Sequence, residues 1–357
     1  MTGDTDLRVG VLSVALLGLS ACGSTVGTLQ PAASADVYLA GFEQGTGNAI
    51  AMVWKNGVGT QLTDPTHGAI ALGIAVSGSD VYVVGNDSAP GEHQIAVIWK
   101  NGVETALTDG TKDGYASGIS ISGTDVYVSG SEIGFDASGN PYFAAEYWKN
   151  GAATILSNSL AGEMTNAIFV SGSDVYVAGY QNVTTQTGPS SYFTTQVVFY
   201  WKNGVPIQLT NGITPAVPFS IFVSGSDVYV SGYNCLTTAG GCERAAYWVN
   251  GNLFQLPTTN PSTAVAIAAA NGNAYVADNE TLPSGLNEAL LWTNGSEDNL
   301  AQGGAANAVA VFGKDVYVAG CGPNFVAAYF KNDGIEEVKP DTNTNSSAFA
   351  IAVVPHQ

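Results

Sequence analysis

The sequence contains 357 residues, with 29 acidic and 10 basic side chains and a formal net charge of −19. A surface with this charge repels phosphate backbones, so we do not expect a nucleic-acid partner. It would attract cations or basic proteins, although the simpler interpretation is that the charge keeps a sheet-rich chain in solution. The length alone would allow two domains, but internal repeats fill the chain from about residue 34 onward as one.

The first 22 residues have the pattern of an export signal. Arg8 precedes an apolar run over residues 9–19, which is too short to span a membrane and is typical of the core of a signal peptide. The run ends in Leu-Ser-Ala-Cys-Gly at residues 19–23. This ending resembles the processing site of bacterial lipoproteins, in which the cysteine becomes the lipid-carrying N-terminus.

The resemblance implies a signal peptide over residues 1–21, a lipidated Cys22 and a flexible tether over residues 22–34. The protein would then be held at the outer membrane or cell surface of a bacterium. Asp4 and Asp6 depart from the pattern, since basic residues usually stand there. The alternative is that Cys22 is an ordinary thiol at the end of a cleaved secretory peptide.

One phrase recurs seven times in the rest of the chain, with small changes. The copy at residues 170–180 reads VSGSDVYVAGY, a turn followed by a β-branched and aromatic run that predicts a β-strand. Its aspartate stands at the turn, so we expect the carboxylate to accept backbone N–H bonds there rather than to join a catalytic ring. The recurring aspartates are Asp36, Asp80, Asp125, Asp174, Asp227 and Asp315.

A second phrase, an apolar run ending in Trp-Lys-Asn-Gly or a close variant, alternates with the first. Asn-Gly between two apolar runs predicts a two-residue hairpin turn. The tryptophans, which we expect to pack between repeats rather than stack on a ligand, are Trp54, Trp99, Trp148, Trp201, Trp248 and Trp292, with Phe330 in the seventh copy.

Each repeat therefore contains four strands in a meander, named A to D here, with an alanine-rich strand A before the first phrase. A single unit cannot bury both of its faces, so its neighbours must cover them. Seven such units predict an all-β fold over residues 35–357, a seven-bladed β-propeller of four-stranded antiparallel blades. An open solenoid of seven repeats is the alternative.

The two ends of the repeat region complement each other. The first copy of the phrase, at Asp36, has no strand A before it, and residues 348–354 read as a strand A with no strand B after it. We expect residues 348–354 to form the inner strand of the blade begun by residues 36 to about 62. This pairing would close the ring and remove two open sheet edges.

Length variation is concentrated in the connection between strands B and C. From the tyrosine of each first phrase to the next Trp or Phe, the spacing is 16, 17, 21, 25, 19, 17 and 13 residues. Insertions on one face of a repeat protein commonly mark a binding surface. The insertions of blades 3 to 5 carry aromatic residues among polar ones, which suits carbohydrate or protein contacts, although these aromatics could equally pin long loops to their own blades. The candidate binding residues are Phe135, Tyr142, Tyr180, Tyr192 and Tyr233, while Phe143 and Phe193 could already belong to strand C.

Three cysteines follow Cys22. Cys235 and Cys242 bracket a six-residue loop, and an exported protein enters an oxidising compartment, so we predict a disulfide between them. Cys321 has no evident partner and is expected to be a half-buried free thiol.

The sequence offers little catalytic chemistry. Three scattered histidines make no metal triad, and the phosphate-loop and nucleophile-elbow motifs are missing, so we expect neither a metal nor a cofactor. Residues 136–140 resemble a calcium-binding loop only weakly. An enzyme would have to use acids of the D–A loops; the candidates are Asp64, Asp109, Asp113 and Glu163.

The alternation of SGSDVYVAGY with YWKNG resembles the β-propeller repeats of uncharacterised exported bacterial proteins, and in architecture it is similar to kelch and WD40 propellers. We expect a monomeric, lipid-anchored and non-catalytic module that binds a protein or a glycan through its variable face. The alternatives are a hydrolase or lyase acting on envelope or extracellular polysaccharide, and a passive spacer. The fold does not decide between them.

Overall fold

The structure is a computed structural model that describes residues 9–10, 13–14, 35–89, 91–157, 162–188, 191–237, 243–332, 334–337 and 345–356. Within these residues the regular elements are all β-strands. Seven four-stranded antiparallel sheets follow one another along the chain. The predicted fold class, an all-β propeller of seven four-stranded blades, is confirmed.

The blades are built as follows, in the order of strands A to D. Blade 1 contains β30 (Ser346–Pro355), β3 (Ala35–Gln44), β4 (Ala49–Lys55) and β5 (Val58–Gln61); blade 2 contains β6 (Ile70–Ser77), β7 (Asp80–Asp87), β8 (Ile95–Lys100) and β9 (Val103–Ala106). Blade 3 contains β10 (Gly114–Ser122), β11 (Asp125–Phe135), β12 (Pro141–Lys149) and β13 (Ala152–Ser157); blade 4 contains β14 (Glu163–Ser171), β15 (Asp174–Gly188), β16 (Ser191–Lys202) and β17 (Val205–Gln208). Blade 5 contains β18 (Ala216–Ser224), β19 (Asp227–Asn234), β20 (Ala245–Val249) and β21 (Asn252–Gln255); blade 6 contains β22 (Ser262–Ala270), β23 (Asn273–Thr281), β24 (Asn287–Thr293) and β25 (Ser296–Gln302). Blade 7 contains β26 (Ala305–Phe312), β27 (Asp315–Cys321), β28 (Ala327–Lys331) and β29 (Gly334–Glu337).

Two further strands of two residues each, β1 (Val9–Gly10) and β2 (Ser13–Val14), pair with each other and lie against the inner strands β6, β10 and β26. No helix long and apolar enough to cross a membrane occurs in the part of the chain that the structure describes.

The repeated turns have the backbone conformation that their sequence predicts. In blade 1, Asn56 has φ 50° and Gly57 has φ 80°, which are the two positive angles of a type I′ hairpin. The same pair of positive angles recurs at the C–D turns of blades 2 to 6. These turns fix the register of strands C and D in each blade.

The ring closes as predicted. Strand β30 pairs antiparallel with β3 through Asp36↔Val354 and Ala40↔Ala350. A contact outside the sheet supports this pairing, because His356 Nδ1 lies 2.7 Å from Asp36 Oδ1. The strand nearest the end of the sequence is therefore held by backbone bonds and by a side-chain contact.

The core lies between the blades. Trp148 of blade 3 packs in one cluster with Ala75 and Val84 of blade 2, and the six tryptophans and Phe330 are at most 3% exposed. The prediction that the tryptophans pack blade against blade is confirmed. Each blade thus depends on the preceding one for burial of its largest side chain.

Strand B contains a glycine that lets it approach strand A closely. A Cβ on Gly130 would stand 2.1 Å from the carbonyl oxygen of Tyr115 and 2.4 Å from Cζ3 of Trp148. Six blades have a glycine at this position, whereas blade 6 has Asp278. Opposite this position, strand A contains a β-bulge in every blade. The bulge bends the inner strand and so adapts it to its neighbours.

Candidate functional site

The two faces of the ring differ in chemistry. In a meander the A–B and C–D turns lie on one face, which we name the turn face, and the B–C and D–A connections lie on the other, which we name the variable face. The turn face repeats a single cluster of side chains. In blade 3, the Asn150 amide donates to Asp125 Oδ1 at 2.8 Å, while its own Oδ1 accepts the N–H of Val126 at 2.9 Å.

A lysine completes the cluster in five blades. Lys149 Nζ lies 2.7 Å from Asp125 Oδ2 and 5.2 Å from the centre of the Tyr127 ring. These contacts hold the pKa of the Asp125 carboxyl below its usual value, with the lysine as the main cause. Equivalent lysine–aspartate–tyrosine groups occur at Lys55, Lys100, Lys202 and Lys331. The aspartates are structural, as expected, but their donors are side-chain amides and ammonium groups rather than the backbone N–H groups that the sequence suggested.

The insertions on the variable face differ from the expectation of long loops. In blade 3 the extra residues lengthen β11 and β12, which remain paired as far as Phe135↔Pro141. In blade 4, β15 and β16 remain paired as far as Gly188↔Ser191. The β-branched Thr and Val residues in both strands favour this extended hairpin. Phe135, Tyr142, Tyr180, Tyr192 and Tyr233 therefore all stand on strands, as do Phe143 and Phe193.

Several of the candidate aromatic residues pack on their own blade. Tyr142 lies across its partner Gly134, where an added Cβ would come within 2.5 Å of the ring. The Phe143 ring lies 6.0 Å from that of Tyr115 on the same sheet. Phe135, by contrast, is 58% exposed at the end of its strand. Tyr142 and Phe143 thus contact their own blade, whereas more than half of the Phe135 side chain is exposed; the binding role of the candidates stays a prediction.

The structure brings two of the candidates near each other across the boundary of blades 4 and 5. Tyr180 donates its hydroxyl to Met164 Sδ at 3.1 Å, and the Tyr233 ring lies 6.2 Å from that of Phe219. Burial raises the pKa of the Tyr233 hydroxyl, and the charges of Glu243 and Tyr180 act in the same direction. The side chain of Tyr192 lies outside the described residues.

The acids proposed for catalysis lie in or next to three different D–A connections. Asp64 accepts hydrogen bonds from Thr66, and Asp109 does the same from Thr111, which lowers the pKa of both carboxyls. Glu163 is 6% exposed at the start of β14, and burial raises its pKa.

The fourth of these acids, Asp113, accepts the N–H of Gln94 at 2.9 Å and faces His93 Nδ1 at 3.0 Å. The amide of Gln94 is the main reason why the pKa of Asp113 is lowered. Asp64, Asp109 and Asp113 thus complete local turns and loop contacts on the variable face.

A different acid has the more unusual environment. Glu146 on β12 is 6% exposed, and burial raises its pKa to about 7. The neighbouring charge of Glu132 acts in the same direction, while Lys112, which lies 3.0 Å from Glu132, opposes it. This pair could not be predicted from the sequence, because the two glutamates are brought together only by the register of β11 and β12.

A small central cavity of about 100 Å³ lies on the axis of the ring. The bulged residue of strand A lines it in every blade, and these residues are Leu72, Ser117, Asn166, Phe219, Val265, Asn307 and Phe349. The polar members bond to their neighbours, as Asn307 does when it donates to the Ala348 carbonyl at 2.9 Å. Asn166 and Asn307 on the axis therefore each join two neighbouring blades.

Two of the four cysteines, Cys235 and Cys321, lie among the described residues. Cys321 is a free thiol, as expected, but it is 6% exposed and thus buried rather than half-buried. Cys235 is disulfide-bonded, whereas Cys242 lies outside the described residues, so its pairing with Cys235 stays a prediction. Cys22 also lies outside them. No group of three or more His, Cys, Asp or Glu residues suited to a metal ion occurs among the described residues.

No protein-family model and no curated protein matches the chain. Among solved structures, it is similar to a puromycin-hydrolysing peptidase of Mycobacterium tuberculosis, with a TM-score of 0.44 and 12% identity over 75% of this chain and 53% of that one. It is also similar to Trypanosoma rangeli sialidase, with a TM-score of 0.42 and 8% identity over 88% and 56% of the two chains. The β-propeller domain of the Trilobed protease from Pyrococcus furiosus gives a TM-score of 0.38 and 10% identity over 76% and 97%.

The chain spans about half the length of the first two of these proteins. At identities of 8–12% the likeness says nothing about the chemistry of this chain.

Proposed function

We propose that the protein is a non-catalytic binding module of the bacterial cell envelope, which recognises a protein or a glycan through the variable face of its propeller. The observation that carries this proposal is the contrast between the two faces. The turn face repeats one cluster that satisfies its own polar groups, whereas the hairpins and loops of the variable face differ from blade to blade.

The physical argument concerns what each face can offer a partner. On the turn face the asparagine amide, the lysine and the aspartate bond to one another, so a ligand would have to break existing bonds. On the variable face, Phe135 and Leu236 are 58% and 69% exposed. Loops and hairpin ends on a rigid scaffold are where binding residues commonly stand.

The anchor belongs to the same proposal and rests on the sequence. A diacylated Cys22 would hold the protein stably at the membrane, and the residues up to 34 would act as a tether. The proposed partner is then a protein or glycan of the envelope or its surroundings. We infer a monomer, because the closed ring has no free sheet edge between its first and last blades.

The test uses the full-length chain with Cys22→Ser, which removes the lipid but keeps the ring. We would screen envelope fractions by pull-down and a glycan panel by direct binding. A second protein would have the B–C hairpins of blades 3 and 4 and the B–C loop of blade 5 shortened to the blade 7 length. As a control, the Asn150-Gly151 turn on the opposite face would be replaced by Gly-Gly. Binding that persists after the hairpins are shortened would refute the assignment to the variable face.

One observation favours the alternative of an enzyme acting on polysaccharide. Burial raises the pKa of Glu146 to about 7, and a second carboxyl, that of Glu132, stands beside it; a carboxyl of raised pKa next to a second acid is what a glycosidase requires. Glu146→Gln would abolish the turnover of polysaccharide if this carboxyl were the general acid. Loss of turnover with unchanged binding would establish the enzyme and remove the non-catalytic proposal.

A further inference from the structure

A groove between blades 4 and 5 has the properties of a binding site that the repeat pattern does not account for. It has a volume of about 510 Å³, within the range of ligand pockets, and no charged side chain lines it among the described residues. Its polar lining comes from strand D of blade 4, the following D–A connection and the end of strand B of blade 5. These residues are Gln208, Thr210, Asn211, Thr214 and Asn234, of which Thr210 already accepts the N–H of Val198 at 2.9 Å.

A contact that blades 2, 3 and 6 share is missing beside the groove in blade 5. In those three blades an acidic side chain near the end of strand B contacts the preceding D–A loop. Asp87 contacts His67 Nδ1 at 2.8 Å, and Glu280 accepts the N–H of Asn260 at 2.7 Å. Glu132 contacts Lys112 in the same manner at 3.0 Å.

Asn234 occupies this position in blade 5, seven residues after Asp227, as Asp87 follows Asp80. The backbone part of the contact is kept, since Cys235 N donates to Pro215 O at 2.9 Å. The Asn234 side chain, however, forms no hydrogen bond with any described residue. The two blades are therefore held together, while the space between their side chains stays open.

Other polar groups in the groove are also available. The Thr214 hydroxyl has no partner among the described residues. Asn211 uses only its Oδ1, which accepts the N–H of Ile213 at 3.1 Å, and Gln208 uses only its Nε2, which donates to Thr210 O at 2.6 Å. Leu253, which is 45% exposed, adds an apolar surface beside them.

We infer that this groove binds a neutral carbohydrate. Amide and hydroxyl groups can donate to and accept from sugar hydroxyls, and an apolar side chain suits the C–H face of a sugar ring. The absence of charge in the lining argues against an anionic sugar, and the net charge of −19 would repel one further. The inference rests on the proposed function and makes it specific, since it selects the glycan over the protein and names the site.

The test measures binding of the full-length chain with Cys22→Ser to neutral oligomers of glucose, galactose and mannose, with an oligogalacturonate as the anionic comparison. Thr214→Val keeps the shape of the groove and removes one hydroxyl, so it should weaken binding about 2- to 10-fold. Asn234→Ala should weaken it about 10-fold or more. Thr105→Val, which alters an exposed threonine on strand D of blade 2, is the matched control and should change nothing.

The outcomes separate this inference from the proposal on which it rests. Failure of every neutral oligomer to bind at about 1 mM, or binding of the anionic oligomer alone, would overturn the groove assignment. A neutral glycan that binds equally well to the Thr214 and Asn234 variants, but not to the protein with shortened hairpins, would leave the variable face as the binding surface and remove the groove. Retained thermal stability of Thr214→Val would show that a loss of binding is local.

Discussion

Asp278 gives the sharpest prediction about stability. It replaces the glycine that six blades have in strand B, and it is fully buried. Its Oδ2 accepts the indole N–H of Trp292 at 3.0 Å, while its Oδ1 has no partner among the described residues. Burial raises the pKa of this carboxyl from its ordinary value of 3.8 to about 7. The Trp292 N–H opposes this shift and the charge of Glu280 adds to it.

The sign of the effect follows from linkage. The folded state binds the Asp278 proton more tightly than the unfolded state, so stability falls as the pH rises from about 4 to about 7 and is constant above that. A difference of about three pKa units corresponds to an upper limit of about 4 kcal/mol, at about 1.4 kcal/mol per unit. Relaxation around the ionised group lowers this, so we expect about 1–3 kcal/mol.

The substitution Asp278→Asn keeps an acceptor for the indole and removes the titration. Thermal unfolding at pH 8 should therefore show a variant that is more stable than the parent, whereas at pH 4 the two should be nearly equal. Asp109→Asn is a control of opposite sign, because the pKa of that exposed carboxyl is lowered and its loss should reduce stability slightly at pH 8. An Asp278→Asn variant with the same stability change at pH 4 and pH 8 would refute the assignment of a raised pKa.

Three other substitutions test the fold. Gly130→Ala should destabilise the ring by about 3 kcal/mol or more in denaturant titrations, since the added Cβ would clash with the backbone of strand A. Gly47→Ala is the control and should be neutral, because no atom lies within 4 Å of its added Cβ. Equal effects of the two substitutions would contradict the close approach of strands A and B. His356→Ala should lower the free energy of unfolding by about 1 kcal/mol, because Asp36 loses a hydrogen-bond donor at the ring closure. An unchanged melting temperature would show that this contact does not contribute to stability. Lys149→Met should change stability by less than about 1 kcal/mol, as exposed ion pairs do, and a larger loss would mean that the turn-face lysines hold the blades together.

Most of the fold follows from local chemistry repeated at fixed spacing. The Asn-Gly pairs fix the hairpins, and the apolar runs beside them fix the strands, so the blade count and the closure by β30 could be predicted. The lengthened hairpin of blade 4 is harder to predict from the sequence, because its Gly and Ser residues suggest a loop while its Thr and Val residues favour strands.

The chemistry of the variable face could not be predicted in the same way. The pair of Glu132 and Glu146 depends on which strand residues lie diagonally across a sheet. The groove at Asn234 lies where a strand and a loop about 20 residues earlier could make contact, and the sequence shows only that an amide stands where four other blades have an acid. Spacing along the chain does not reveal whether that amide finds a partner.

The departures from the repeat indicate where the chain has been shaped for something other than closing a ring. Two features recur in strand B: a glycine that lets it approach strand A, and a polar side chain seven positions after the start of the strand, which contacts the preceding D–A loop in blades 2, 3 and 6. Asp278 stands in place of the glycine and accepts an indole N–H. Asn234 stands at the second position, and its side chain forms no such contact with the described residues, so packing gives no reason for it. A polar group that packing does not explain, in an open groove without charge, is best explained by a ligand with hydroxyl groups that would complete its hydrogen bonds.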